Sequence, residues 1–495
     1  MDLGTLENAF GLSSLVLIAA LIVVRLTRRL GLPSLLLFLA IGLVLGNGGL
    51  GIDFDNTLLA EQLGLAALVF ILAEGGLTTR WSTVRPALGL GVALATVSVV
   101  VSIGVVAVGV HLLLGFDWRT SLVWGAVLSS TDAAAVFSVL RGVGVKSRLA
   151  AALELESGLN DAPVVIAVVL LAGTDPITWT APLLVVYELV VGAVLGVAVG
   201  VVGAWGLRRV ALPAAGLYPL AVVALVGGAY ALGQVAHASG FLAVYVSALL
   251  LGNSRLPHRA ATLSFAEGLG WLAQIGLFVM LGLYVDPFEL PEALLPGLVI
   301  GLVVLLVARP ISVIAAALPF RLPWREQAFL SWSGLRGAVP IVLATIPLML
   351  GREHSDQLVN VIVVVVVIYT LVQGTTLPWV ARRLDVVQGG QATELQLDAA
   401  PLEEMGASVL QVTLPPDSRM HGVYVNELRL PAPAVVSLLV RDGRPVPVAP
   451  LVRLQAGDQL LVVAPEQVRA AVERRLRAVG RGGALAAWFQ RGEQL

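Results

Sequence analysis

Apolar runs of about twenty residues recur from the N-terminus to residue 380, each long enough to cross the hydrocarbon core of a bilayer. Thirteen such spans are predicted, among them 59–77 (span 3), 119–140 (span 5), 149–172 (span 6), 294–318 (span 11) and 326–350 (span 12). Only 13% of the 495 residues are charged, against about a quarter in soluble domains, so an all-α polytopic membrane protein is expected. The first run follows an acidic start and ends in VVRLTRRL, which reads as a retained span rather than a cleaved leader. A net charge of −1 gives no sign of a nucleic-acid partner. The absence of cysteine excludes disulfides and thiolate metal sites.

The loops fix a topology. Arg25, Arg28 and Arg29, then Arg80 and Arg85, then Arg141, Lys146 and Arg148 follow odd-numbered spans. Arg208, Arg209, Arg255, Arg259, Arg321, Arg325, Arg382 and Arg383 continue the series. The opposite loops hold only Arg119 and Arg352 among many acids. Cytoplasmic loops carry the Lys/Arg excess, so the N-terminus is expected outside and the C-terminus inside. Beyond the transmembrane domain (1–384), a polar linker (385–405) leads to a small α+β cytosolic domain (406–480) and a tail (481–495). Asp442-Gly443 between two apolar runs signals a hairpin there.

Three stretches carry chemistry. In span 6, ESGLNDAPVV places Ser157, Asn160 and Asp161 on one helical face, with Glu156 one turn beneath Asn160. Pro163 lacks an N–H and leaves the carbonyl of Leu159 unbonded, so a kink is expected beside the acid. In span 5, LSSTDAAAV interrupts an apolar helix with Ser129, Ser130, Thr131 and Asp132. In span 12, Gly334, Gly337 and Pro340 make a second break around Arg336. Interrupted spans in corresponding halves point to an inverted-repeat transporter with its site near the midplane. Glu74 in span 3 and Arg309 in span 11 are two further intramembrane charges.

SSTDAAAV, ESGLNDAPVV and SGLRGAVPI in that order, together with FILAEGGL in span 3, resemble the NhaP branch of the monovalent cation/proton antiporters. The resemblance covers about residues 10–384; the stretch at 400–480, with AGDQLLVVA, is similar to the TrkA-C (RCK-C) domain of the potassium/proton members. It implies a thirteen-helix inverted-repeat antiporter fold, usually a homodimer in the cell membrane, with spans 5 and 12 crossing as broken helices. It also implies that Asp161 alternately binds cation and proton, with Thr131, Asp132, Ser157 and Glu74 supplying ligands or shaping the site. The transported K+ or Na+ would rest on Asp161, Thr131 and Ser157. The Asn160–Asp161 pair would accompany electroneutral one-for-one exchange. Glu156 would be held by a buried arginine, Arg336 as first choice and Arg309 as second. No cofactor is implied; a nucleotide is the candidate ligand of the C-terminal domain, and pH homeostasis the expected role.

The mechanism follows from the residues as well. A carboxylate removed from water holds its proton more tightly, so proton and cation compete for one negative site. Asn160 adds hydrogen bonds without a second titrating charge. Two other classes compete: an intramembrane aspartyl protease using Asp132 and Asp161 as a dyad, and a ligand-gated cation channel. The first lacks a GxGD sequence and the second a TVGYG filter.

Overall fold

The computed structural model describes residues 3–30, 34–46, 49–52, 56–132, 144–174, 176, 178–337, 339–387, 396–402, 407–415 and 418–483. The chain divides into two compact units, Met1–Val387 and Gln388–Leu495. Among its described residues the first is mainly helical: α1 (Leu3–Leu30), α2 (Ser34–Leu45), α3 (Thr57–Thr78), α4 (Trp81–Val84), α5 (Leu88–Leu114), α6 (Trp118–Val127) and α7 (Ser147–Ala172). It continues with α8 (Ala181–Arg209), α9 (Leu217–Val235), α10 (Gly240–Gly252), α11 (Arg259–Tyr284), α12 (Leu290–Val303) and α13 (Arg309–Ala317). It ends with α14 (Trp324–Trp332), α15 (Val339–Met349) and α16 (Ser355–Arg383). Eight helical stretches among the described residues are long and apolar enough to cross a membrane, and four shorter apolar helices accompany them. Of the expected span 5, residues 133–140 lie outside the described residues.

Without a hydrophobic drive between helices in lipid, close approach of small residues supplies the packing. A Cβ on Gly192 of α8 would stand 2.6 Å from the Ser239 carbonyl oxygen, and one on Gly196 2.8 Å from that of Ala243. Those glycines let α8 lie against α10.

Helix α7 runs unbroken through Pro163, so the expected disturbance beside the acid does not interrupt it. Both of its ends are fastened. At the C-terminal end, Arg119 Nε donates to the Leu171 carbonyl at 3.0 Å and its Nη2 to that of Gly173. Arg352 Nε donates to the Ala172 carbonyl at 2.5 Å and its Nη2 to Gly173 as well. The two arginines that stood apart from the basic loops thus satisfy the orphan carbonyls and dipole of this helix end. At the other end, Lys146 N donates to the Val386 carbonyl at 3.0 Å, and Val145 pairs with Val387 as an antiparallel bridge. Lys146 Nζ also reaches Glu326 Oε1 at 2.9 Å.

The second unit contains a sheet of order β1-β2-β5-β3-β4, built from Gln396–Leu402, Ala407–Thr413, Val435–Arg441, Arg444–Val446 and Gln459–Pro465 in chain order. Helix α17 (Glu466–Gly482) follows. Asp442 and Gly443 both have positive φ, as the expected two-residue hairpin between β3 and β4 requires. Strand β1 occupies part of the stretch read as a linker: it is an edge strand, where Pro401 is tolerated and polar composition is normal. Asp458, fully buried, accepts two hydrogen bonds from Arg441 at 2.8 and 2.9 Å and one from Gln455 N at 2.7 Å.

Candidate functional site

Two helix breaks meet beside α7. Helix α6 stops at Val127, and the chain through Ser129–Asp132 is not helical; α14 stops at Trp332, and Ser333–Gly337 is likewise open. Asp132 N donates to the Leu335 carbonyl at 2.9 Å, stitching one break to the other. Arg336, 1% exposed, donates through Nη1 to the carbonyls of Ser130 at 2.7 Å and Ser129 at 3.4 Å. An always-charged guanidinium at this depth is therefore spent on the carbonyls freed where α6 ends.

That placement corrects the first choice of partner for Glu156. The acid is held instead by Arg309, with Nη1 2.5 Å from Oε1 and Nη2 2.9 Å from Oε2. Arg309 Nη2 also donates to the Leu330 carbonyl at 3.2 Å. A π-helical turn, Val304–Ala308, immediately precedes Arg309. Pro310 has no N–H for the Leu306 carbonyl, so the helix unwinds there and its register shifts just before the arginine. Gly334 makes room for it, since any Cβ would overlap the guanidinium.

The polar chain continues towards the Asn–Asp pair. Thr131 Oγ1 lies 3.4 Å from Glu156 Oε1, to which it donates, and accepts from Asn160 Nδ2 at 2.6 Å. Asn160 Oδ1 is buried and has no hydrogen-bond partner among the described residues. Asp161 Oδ1 accepts from Ser130 Oγ at 3.0 Å, and no basic side chain lies within ion-pair distance of it among the described residues. The acid is 3% exposed.

Asp161 sits on the wall of a cavity of about 360 Å³, lined also by Glu74, Asp132, Glu154 and Glu267. Thr131 and Ser157 line the same space, and none of the described lining residues is basic. The structure thus brings together Asp161, Asp132, Thr131, Ser157 and Glu74, with Asn160 behind them. Reading the sequence named Ser130 as part of the break but not as the direct partner of Asp161. It also missed Glu154, whose signal was its spacing of seven from Asp161, two turns along one face.

The membrane unit matches the transmembrane sodium/hydrogen exchanger model over residues 15–383. The chain belongs to that family. Residues 409–477 match the TrkA-C domain. The chain is 38% identical over 84% of its length to the K(+)/H(+) antiporter NhaP of Alkalimonas amylolytica, covering 74% of that protein. It is 33% identical over 94% of its length to the K(+)/H(+) antiporter NhaP2 of Shewanella baltica, covering 82% of it. Its fold is similar to that of the sodium proton antiporter MjNhaP1 from Methanocaldococcus jannaschii, with a TM-score of 0.66 at 21% identity, covering 77% of this chain and 99% of the other. This cation/proton antiporter family consists of transporters, not enzymes, so the protease and channel readings lose their support.

Gly337 offers a direct check on the site. Any Cβ there would overlap the Asp132 carboxylate, and the Asp132 N to Leu335 O bond prevents the breaks from sliding apart. Gly337→Ala is expected to cost about 1–3 kcal/mol of stability and to lower cation/proton exchange, read by thermal unfolding in detergent beside proteoliposome flux.

Proposed function

We propose that the chain is a secondary antiporter exchanging K+ for H+, one for one and without net charge movement, by alternating access. The observation that carries this reading is Asp161: a buried carboxylate that accepts from Ser130 and has no basic partner among the described residues, on the wall of an acidic cavity. Such a group is stable only when a proton or a cation neutralises it. Thr131, Ser157 and Asp132 supply further oxygens to the cation, and Glu74 draws it in. The Glu156–Arg309 pair is internally neutral and Asn160 is uncharged, so one carboxylate trades one positive charge for another.

The names of the relatives at 33–38% identity favour K+ as the main substrate, with Na+ as the second. The two breaks belong to spans 5 and 12 of a thirteen-span inverted-repeat bundle, in which those helices cross and half-helix ends face the ion. The arginine-rich loops support a cytosolic C-terminus and an outside N-terminus. The protein works as a homodimer in the cell membrane, and its TrkA-C domain adjusts turnover in response to a small ligand, for which a nucleotide is the candidate.

Proteoliposomes carrying a pH gradient test this. Added K+ is expected to dissipate the gradient most strongly, followed by Na+ and Rb+, and the rate at saturating ion is expected to be independent of membrane voltage. Cation flux without proton counter-movement would replace the antiporter by a channel. A steep voltage dependence would remove one-for-one exchange.

A further inference from the structure

Two turns before Asp161 on α7 stands a carboxylate for which the exchange cycle has no use. Glu154 precedes Asp161 by seven residues, so both occupy one face of the helix, about 10 Å apart along its axis. Both line the same cavity. Glu154 lies beyond the first turn of α7, away from the free N–H groups of the helix end. Unlike Glu156, it has no arginine or lysine within ion-pair distance among the described residues.

Its neighbours are oxygens. Thr79 Oγ1 lies 2.5 Å from Glu154 Oε1 and 2.8 Å from the Gly75 carbonyl, and its single proton can serve only one of them. Tyr245 of α10 is 2% exposed and lines the cavity; its hydroxyl is turned to Thr79 and Glu154 and completes no well-formed hydrogen bond among the described residues. The group is held in place: Asn253 Nδ2 donates to the Thr79 carbonyl at 2.8 Å, while Asn253 Oδ1 accepts from Trp81 N at 2.8 Å. The Tyr245 ring lies on Gly158, where any Cβ would overlap it. Gly158 falls between Glu154 and Asp161 on α7, so the ring packs at the level that separates the two acids.

We infer that Glu154, Thr79 and Tyr245 form a second monovalent-cation site, a staging position between the arginine-rich loops and Asp161. It rests on the exchange reading of Asp161. A carboxylate with two hydroxyl oxygens suits a hard cation, and an ion there supplies the positive charge that the protein leaves out. From it the ion passes the Tyr245 ring to reach Asp161.

The test is Rb+/proton exchange in vesicles of known orientation, with Rb+ varied on one side at a time. Glu154→Gln is expected to raise the KM for Rb+ about tenfold from the arginine-rich-loop side and to leave the KM from the other side unchanged. Tyr245→Phe, which keeps the ring on Gly158, is expected to raise the same KM about threefold, and it decides the question should Glu154→Gln not assemble. An unchanged KM from the arginine-rich-loop side, or an equal rise from both sides, overturns the staging site. Asp161→Asn is run in parallel. If it still exchanges Rb+ for protons, the exchange reading falls. If it is silent while Glu154→Gln leaves both KM values alone, the staging site falls by itself.

Discussion

Asp161→Asn is expected to abolish exchange while leaving the protein assembled. The amide has nearly the same volume as the carboxylate and can keep the Ser130 hydroxyl as a partner, rotated to suit. What disappears is the charge. At 4 Å and an effective dielectric near 20, a unit charge is worth about 4 kcal/mol to a bound cation, or about a thousandfold in affinity. The proton-binding half of the cycle is lost as well, since an amide does not titrate. Proteoliposome pH-gradient dissipation with K+ should fall to the level of empty vesicles, and thermal unfolding in detergent should stay near the parent value. Retained K+/proton exchange would show that another group carries the ion.

Removing Arg309 is expected to be the most damaging change to stability. Glu156 and Arg309 are 2% and 4% exposed and face each other through two hydrogen bonds. Breaking a buried pair by deleting one partner costs about 3–5 kcal/mol, because the other charge is left uncompensated. Arg309→Met should therefore unfold at a much lower temperature, and Glu156→Met alone should do the same by stranding the guanidinium. The double variant should recover most of the loss, since two apolar side chains of similar length restore neutrality. A double-mutant cycle on detergent unfolding measures this. Additive single effects would mean that the pair contributes nothing as a pair.

Much of the site was legible because helical periodicity is local. Ser157, Asn160 and Asp161 share a face by spacing alone, and the Ser129–Asp132 and Ser333–Gly337 stretches announce breaks by composition. The choice of arginine was not legible. Arg309 and Arg336 are both deeply buried, and only tertiary placement assigns one to Glu156 and the other to the carbonyls of Ser129 and Ser130. The π-helical turn that presents Arg309 depends on hydrogen-bond register, which apolar composition does not encode. Glu154 escaped for a similar reason: near the start of a helix, an acid reads as a solvated end until a partner helix brings Tyr245 across it. Strand β1 reads as linker because an edge strand needs no apolar run, only a neighbour such as β2 to pair with.

The pairing of Val145 with Val387, and of Lys146 N with the Val386 carbonyl, bears on how the TrkA-C domain can be removed cleanly. Residues 386 and 387 look dispensable, three and four positions past the last membrane helix. They are nonetheless the stitch that tacks down the entry to α7, eight to sixteen residues ahead of Glu154 and Asp161 in the chain. A deletion that removes Val386 and Val387 unpicks that stitch along with the domain. Altered turnover after such a cut would reflect a loosened transport helix as much as a missing domain, so an informative truncation keeps the chain through Val387.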